Sequence, residues 1–176
     1  KDHFPKKHDT ILLYSKTNKY TFHLLKDNNY EQTIDFTRWN KFLNENNEIT
    51  GGNYPQNDSR FKGYYNRFIK ENHRKPYKDD ILLKIEGNTI DTVWDIKAVD
   101  PKSRERVGYD TQKPKALLER IIKASSNAGD VVADFFMGSG TTCVVAKELG
   151  RKYIGCDINP RAIEITEKRL NEIDTK

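Results

Sequence analysis

Two kinds of patterning divide this chain of 176 residues. From Thr111 onward, short apolar runs alternate with segments whose apolar residues recur every three or four positions. That is the signature of strands alternating with helices. Pro114 suits the first turn of a helix, where its missing N–H costs nothing. Leu117, Leu118, Ile121 and Ile122 then share one face, and Asn127-Ala128-Gly129 ends the helix. Val131 to Phe136 predicts a buried strand, Thr141 to Leu149 a helix closed by Gly150, and Tyr153 to Cys156 a second strand. Asn159 caps a last helix with Pro160 at its first position and Ala162, Ile163, Thr166, Leu170 and Ile173 turned inward. Such alternation predicts a parallel sheet with a ligand at the C-terminal ends of its strands.

Before Thr111 the pattern is weaker. Thr10 to Ser15 and Tyr20 to Leu24 predict a hairpin around Lys16-Thr17-Asn18-Lys19. Lys26 to Asn88 is irregular and polar, with a loop over Asn44 to Asn57, rich in Asn, Gly and Glu. Ile81 to Ile85 and Thr89 to Trp94 predict a second hairpin around Glu86-Gly87-Asn88. Asp100 to Tyr109 is charged and predicts a loop. No internal repeat is present.

Composition narrows the class. A hydrophobic share of 35% and a charged share of 32% describe a polar but foldable chain, with little apolar material for two independent cores. The net charge of +5 favours a polyanionic partner, though modestly. Cys143 and Cys156 lack metal spacing and read as reduced core thiols of a cytoplasmic protein. His3, His8, His23 and His73 are scattered without ligand spacing. No apolar run approaches the ~18 residues of a membrane span, and no signal peptide is expected. The first residue is Lys1 and the only methionine is Met137, so further sequence upstream is expected.

The chemistry concentrates in Asp134-Phe135-Phe136-Met137-Gly138-Ser139-Gly140-Thr141-Thr142. Strand, glycine turn and helix are what a nucleotide-like ligand needs. Gly138 and Gly140 let the backbone approach a ligand without a Cβ in the way. The helix that begins near Thr141 points unpaired N–H groups there. Asp157, at the end of the next strand, can accept both hydroxyls of a ribose. A phosphate-cradling loop would need Gly-Lys-Ser/Thr, but Thr141 follows Gly140. A dinucleotide loop wants a third glycine, or at least alanine, where Cys143 stands. S-adenosylmethionine carries no phosphate, so two glycines suffice, and Asp134 suits its ammonium and sulfonium. An ordinary tight turn explains the glycines, but not the two acids beside them.

These residues carry a resemblance. Gly108-Tyr109-Asp110-Thr111-Gln112-Lys113-Pro114, followed by Leu117-Leu118-Glu119-Arg120-Ile121-Ile122, resembles the motif preceding the cofactor strand in DNA amino-methyltransferases of the permuted β class. Asp134 to Thr142 resembles that family's cofactor motif. Gly150-Arg151-Lys152-Tyr153-Ile154-Gly155-Cys156-Asp157 resembles its ribose-acid strand. Lys7 to Lys16 resembles the core strand before its target-recognition region. Phe135 departs from the family's usual proline.

The resemblance implies an α/β chain with a partial Rossmann-like class I methyltransferase fold, a parallel sheet with flanking helices, plus a mostly irregular target-recognition insertion. Residues 1–25 would be a hairpin of the core, 26–99 the recognition region and 100–176 the S-adenosylmethionine-binding half. It implies cofactor contacts from Thr111, Gln112 and Lys113, from Asp134, Phe135, Phe136, Met137, Gly138, Ser139, Gly140, Thr141 and Thr142, and from Asp157 and Ile158. Lys113 would meet the cofactor carboxylate or cover the helix start. Ser103, Arg104 and Arg106 resemble a segment near cofactor and DNA, or form a solvated loop.

The family's amine-activating motif is Asp or Asn followed by Pro-Pro and an aromatic, which holds a base flipped from the duplex. This chain contains no Pro-Pro. Asp100-Pro101 reads as a turn and Asn159-Pro160 as a helix cap, so no catalytic residue is assigned. In the permuted class that motif precedes the recognition region, which would place it upstream of Lys1. A fold lacking those strands would expose apolar surface and unpaired backbone. Self-association, or pairing with the absent catalytic half, is then expected.

Arg60 to Lys78 is the basic stretch. Arg60, Lys62, Arg67, Lys70, Arg74, Lys75 and Lys78 stand against Glu71, with Phe61, Tyr64, Tyr65, Phe68 and Tyr77 interleaved. The cations neutralise phosphates, and Tyr64 or its neighbours stack on bases or form the inner stripe of a helix. The expected partner is double-stranded DNA, and the expected activity is methyl transfer to an adenine N6. An inactive DNA-binding remnant, an RNA methyltransferase and a dinucleotide-dependent oxidoreductase stay open.

Overall fold

The computed structural model describes residues 9–175. His3, His8 and the first positions of the expected core strand lie outside them. Two compact units are present: Leu24–Trp94 forms one, and the residues up to His23 together with those from Asp95 onward form the other.

In the second unit the alternating pattern folds as strand, helix, strand. β3 (Val131–Asp134) runs parallel to β4 (Lys152–Gly155), with Val131 opposite Lys152 and Asp134 opposite Gly155. Between them lies α4 (Thr141–Glu148), the most apolar helix, burying Thr141, Cys143, Val144, Val145 and Ala146. α3 (Lys115–Ser125) and α5 (Pro160–Asp174) pack against α4. Ile122, Val145 and Ala146 form the core, with Leu118, Val132 and Leu149 beside them. Pro114 sits just ahead of α3, at its cap, and the Asn159 side chain caps α5 by accepting from the Arg161 N–H at 3.0 Å. Gly150, at φ 72°, follows α4, as the helix-closing glycine should.

The β3 strand is shorter and barer than its apolar run suggests. It ends at Asp134, and only alternate residues are covered. Val131 is 57% exposed and Ile154, the register partner of Ala133, 55%. Helices cover one face of the strand pair and nothing among the described residues covers the other. The hairpin expected over 10–24 does not form: those residues make no strand. Leu12, Leu13 and Tyr14 are largely exposed, and the His23 N–H donates to the Ala124 carbonyl. Their alternation alone does not pair them with any strand among the described residues. Cys143 is buried as expected, but Cys156 is exposed, because β4 turns it away from α4.

The first unit is more ordered than its polar composition implies. α1 (Ile34–Trp39) is capped by Thr33, whose hydroxyl accepts from the Phe36 N–H. β1 (Glu48–Thr50) lies inside the expected Asn44–Asn57 loop. β2 (Ile81–Lys84) pairs antiparallel with β1, not in the expected hairpin with Thr89–Trp94, and Thr89 instead bridges Lys26. Residues distant in sequence thus replace the local hairpin. α2 (Lys62–Asn72) packs Tyr64, Tyr65 and Phe68 on a core of Trp39, Ile49, Phe61, Leu82, Leu83 and Ile85. No described helix is long and apolar enough to cross a membrane.

Candidate functional site

The glycine loop leaves β3 and is held from three sides. Asp134, the last residue of β3, accepts from the Phe136 N–H at 3.0 Å and the Thr142 hydroxyl at 2.6 Å. Both ends of the loop are thereby fixed to one carboxylate. Asp157, just past β4, accepts from the Gly138 N–H at 2.8 Å through one oxygen and from the Asn159 N–H at 2.9 Å through the other. These N–H groups, Asn159 foremost, hold its carboxyl below the ordinary carboxylate value. The Met137 N–H donates to the Cys156 carbonyl, completing a join between the two strand ends.

The third support comes from α5. The Arg169 guanidinium donates to the Ser139 carbonyl at 2.5 Å and to the Thr141 hydroxyl at 3.2 Å. Burial lowers its pKa, opposed by Glu105, Glu148 and Glu172. It remains charged all the same. Nothing in the sequence pattern marks Arg169, which follows the strand–loop–helix by a whole helix. Only its spacing three residues after buried Thr166 places it on the inner side of α5.

The glycines serve packing more than the open approach expected of them. Gly140 has φ 71°, and a Cβ there would fall on the Thr166 side chain of α5. Gly138 has φ 52°, and a Cβ there would press on the Tyr109 ring at 3.2 Å. Both positions require glycine because the loop is clamped between Tyr109 and α5.

The structure gathers Asp134 through Thr142, Asp157 and Ile158 at the C-terminal ends of β3 and β4. Met137, Ser139 and Thr141 are buried, so their side chains build the loop, and any ligand would meet main chain there. Phe135, Phe136 and Ile158 are exposed, Ile158 fully. The Thr111–Lys113 group divides. The Gln112 side chain turns inward, accepting from the Val107 N–H and donating to the Glu105 carbonyl. Thr111 is exposed, and the Lys113 ammonium lies 3.7 Å from the Asp9 carboxylate. In the segment near them, the Arg106 guanidinium faces Asp110 at 3.4 Å. Among the described residues no cluster of side chains has metal-ligand geometry.

In the first unit the basic stretch sorts into two sets. Arg60 and Arg74 are committed: Arg60 grips Asp58 and lies over Trp39, and Arg74 forks onto Asp80 and lies over Phe68 and Tyr77. Their hydrogen bonds hold both carboxyls at about 2. Lys62, Arg67, Lys70, Lys75 and Lys78 are exposed and form no ion pair among the described residues. The Tyr64 hydroxyl donates to Asp35 at 2.9 Å, and Arg67 lies 5.2 Å from the Tyr64 ring centroid. Tyr64, Tyr65 and Phe61 are therefore core and platform residues, not free stacking groups.

A family model described as DNA methylase, N6_N4_Mtase, matches residues 1–168. Type II methyltransferase M1.MboII of Moraxella bovis is 33% identical over 171 residues, covering 94% of this chain and 55% of that protein. DNA adenine methyltransferase YhdJ of Escherichia coli (strain K12) is 45% identical over 102 residues, 58% of this chain and 32% of that protein. The chain thus spans about half the length of the first relative and a third of the second. Among solved structures, an M1.HpyAVI–SAM complex is 26% identical, covering 77% of this chain and 80% of that chain at a TM-score of 0.39.

Proposed function

The chain belongs to the N6_N4_Mtase family of DNA methylases, and from that premise we propose that it holds S-adenosylmethionine at the β3–α4 loop for methylation of duplex DNA. The base acted on is adenine, at its N6 amine, in a type II restriction–modification setting. Two relatives support this reading by name, one a type II methyltransferase and one a DNA adenine methyltransferase.

The observation that carries the reading is the pair of anchored carboxylates, Asp134 and Asp157, at neighbouring strand ends. Each oxygen of an ionised carboxylate has two acceptor sites. Each Asp157 oxygen uses one on a backbone N–H, so a ribose diol can still be accepted. Asp134 likewise keeps capacity for a cationic group. The residues present therefore fit the cofactor. When bound, S-adenosylmethionine supplies a methyl group on a sulfonium, ready for transfer to a nucleophile. The chain's part is to orient it: Asp157 for the ribose, Asp134 for the cationic end, and Gly138 to Thr142 as a main-chain wall braced by Arg169. Thr111 and Lys113 stand at the entrance to α3, where the exposed Lys113 would exchange its 3.7 Å contact with Asp9 for a cofactor carboxylate. Phe135, Phe136 and Ile158 offer apolar surface to the adenine ring.

Residues 24–94 form the DNA-recognition part, with Lys62, Arg67, Lys70, Lys75 and Lys78 as the cations of its basic stretch that form no ion pair among the described residues. The chain contains no Pro-Pro-aromatic string to hold an extruded base. We assign that role to another polypeptide segment, or to a second copy, seated against the uncovered face of β3 and β4.

Calorimetric titration tests the cofactor assignment. Wild-type protein should bind S-adenosylmethionine and ignore a nicotinamide dinucleotide. Asp157→Ala should weaken the former roughly tenfold to a hundredfold through lost charged hydrogen bonds. Unchanged affinity in the variant rejects the ribose role, and a wild-type preference for the dinucleotide rejects the reading as a whole.

A further inference from the structure

The helix α2 of the first unit carries a glycine that the fold does not ask for. Glycine is the poorest helix former after proline. Gly63 is exposed, its φ is not positive, and a Cβ built on it meets nothing within 4 Å. Neither packing nor backbone conformation requires it. A glycine, with no Cβ, on an open helix face lets another surface come close to the backbone.

The residues sharing that face have chemistry in common. At 100° per residue, Gly63, Asn66, Arg67 and Lys70 fall in one stripe, opposite Tyr64, Tyr65 and Phe68, which pack inward. All four outward residues are exposed. The Asn66 amide makes no hydrogen bond among the described residues. Of the three arginines in the basic stretch, Arg60 and Arg74 are bound to carboxylates, and Arg67 alone keeps its donor fork. Arg67 is also pre-oriented: it rests on the Tyr64 ring, whose hydroxyl is tied to Asp35. An exposed amide and an exposed guanidinium on adjacent positions are the two groups that pair bidentately with adenine and guanine in the major groove.

We propose that this outward stripe of α2 is the base-reading face of the protein. Gly63 admits the groove edge, Asn66 reads an adenine and Arg67 reads a neighbouring guanine. Lys62 and Lys70 meet the flanking phosphates. This rests on the reading of duplex DNA as the partner and goes beyond it by separating positioning contacts from specifying ones.

Selection from a random duplex library at fixed salt tests it, using the full chain. Wild type should enrich a site containing guanine beside adenine. Arg67→Ala should erase the guanine preference and Asn66→Ala the adenine preference, each by about 5- to 100-fold. Lys62→Ala should weaken all duplexes alike and lower the salt slope by about one. Gly63→Leu should raise the melting temperature while weakening duplex binding, a combination no structural role for the glycine produces. Enrichment of the same site by wild type and by both Asn66 and Arg67 variants overturns the inference alone, as does undiminished binding by Gly63→Leu. Absence of any duplex binding by wild type, or equal displacement by structured RNA, removes the DNA reading and the inference with it.

Discussion

The two units solve the problem of burial in opposite ways. Residues 24–94 close around Trp39, Ile49 and Phe61, each at or below 1% exposure, with short elements wrapped about an aromatic centre. The glycine-loop unit has a well-packed helix, α4, and beside it a strand pair with Val131 and Ile154 in solvent. Parallel strands are ordinarily covered on both faces. A small aromatic core can be complete in ~70 residues, whereas a layered sheet is complete only when both layers are present. The first unit thus closes its own core, whereas the second leaves one face of β3 and β4 bare among the described residues.

That contrast can be broken most sharply at Trp39. Replacing it with alanine should cost about 3–5 kcal/mol through lost burial and a residual cavity. Amide exchange should then show α2 losing protection while α4 keeps its own. Joint loss in both helices would mean that the units fold as one cooperative body. A smaller effect is expected at Arg169. Arg169→Met removes two charged hydrogen bonds from the loop, worth about 1–3 kcal/mol. It should speed exchange at Ser139 to Thr142 and weaken S-adenosylmethionine binding, with Arg169→Lys recovering part of both. A loop as protected as before would show that the brace is idle.

At the bare strand face the expected stability change is smaller still. Ile154→Asp should alter stability by no more than about 0.5 kcal/mol, as at ordinary surface positions, and should reduce self-association in sedimentation. A large destabilisation would mean that the face is covered within the chain. The mildest probe is thiol chemistry. Cys156 is exposed and should react promptly with a disulfide reagent. Cys143 should wait for unfolding, since burial, and then the Asp134 carboxylate, raise its thiol pKa. Two fast thiols would place α4 outside the core.

The same contrast explains what could be read in advance. The β3–α4–β4 unit is legible because its signals are local: an apolar run, a glycine turn, Gly150 after a helix, Asn159-Pro160 before one. Asp134 and Asp157 follow from the strand ends. The pairing of Glu48–Thr50 with Ile81–Lys84 is not legible, because three residues inside a polar loop carry no periodicity and their partner is remote. Residues 10–24 mislead for the converse reason: they alternate like a strand, but alternation does not specify a partner, and they pair with no strand among the described residues. The tasks of Gly138 and Gly140 are half visible in the sequence: the turn is evident, while the approach of Tyr109 and Thr166 depends on tertiary packing.

The brace from α5 has a practical corollary. The stretch shared with the methylase family closes at residue 168, and the guanidinium beneath the loop belongs to residue 169. Variant libraries or grafted cofactor modules cut to the shared stretch would leave out a guanidinium that donates to the loop at Ser139 and Thr141.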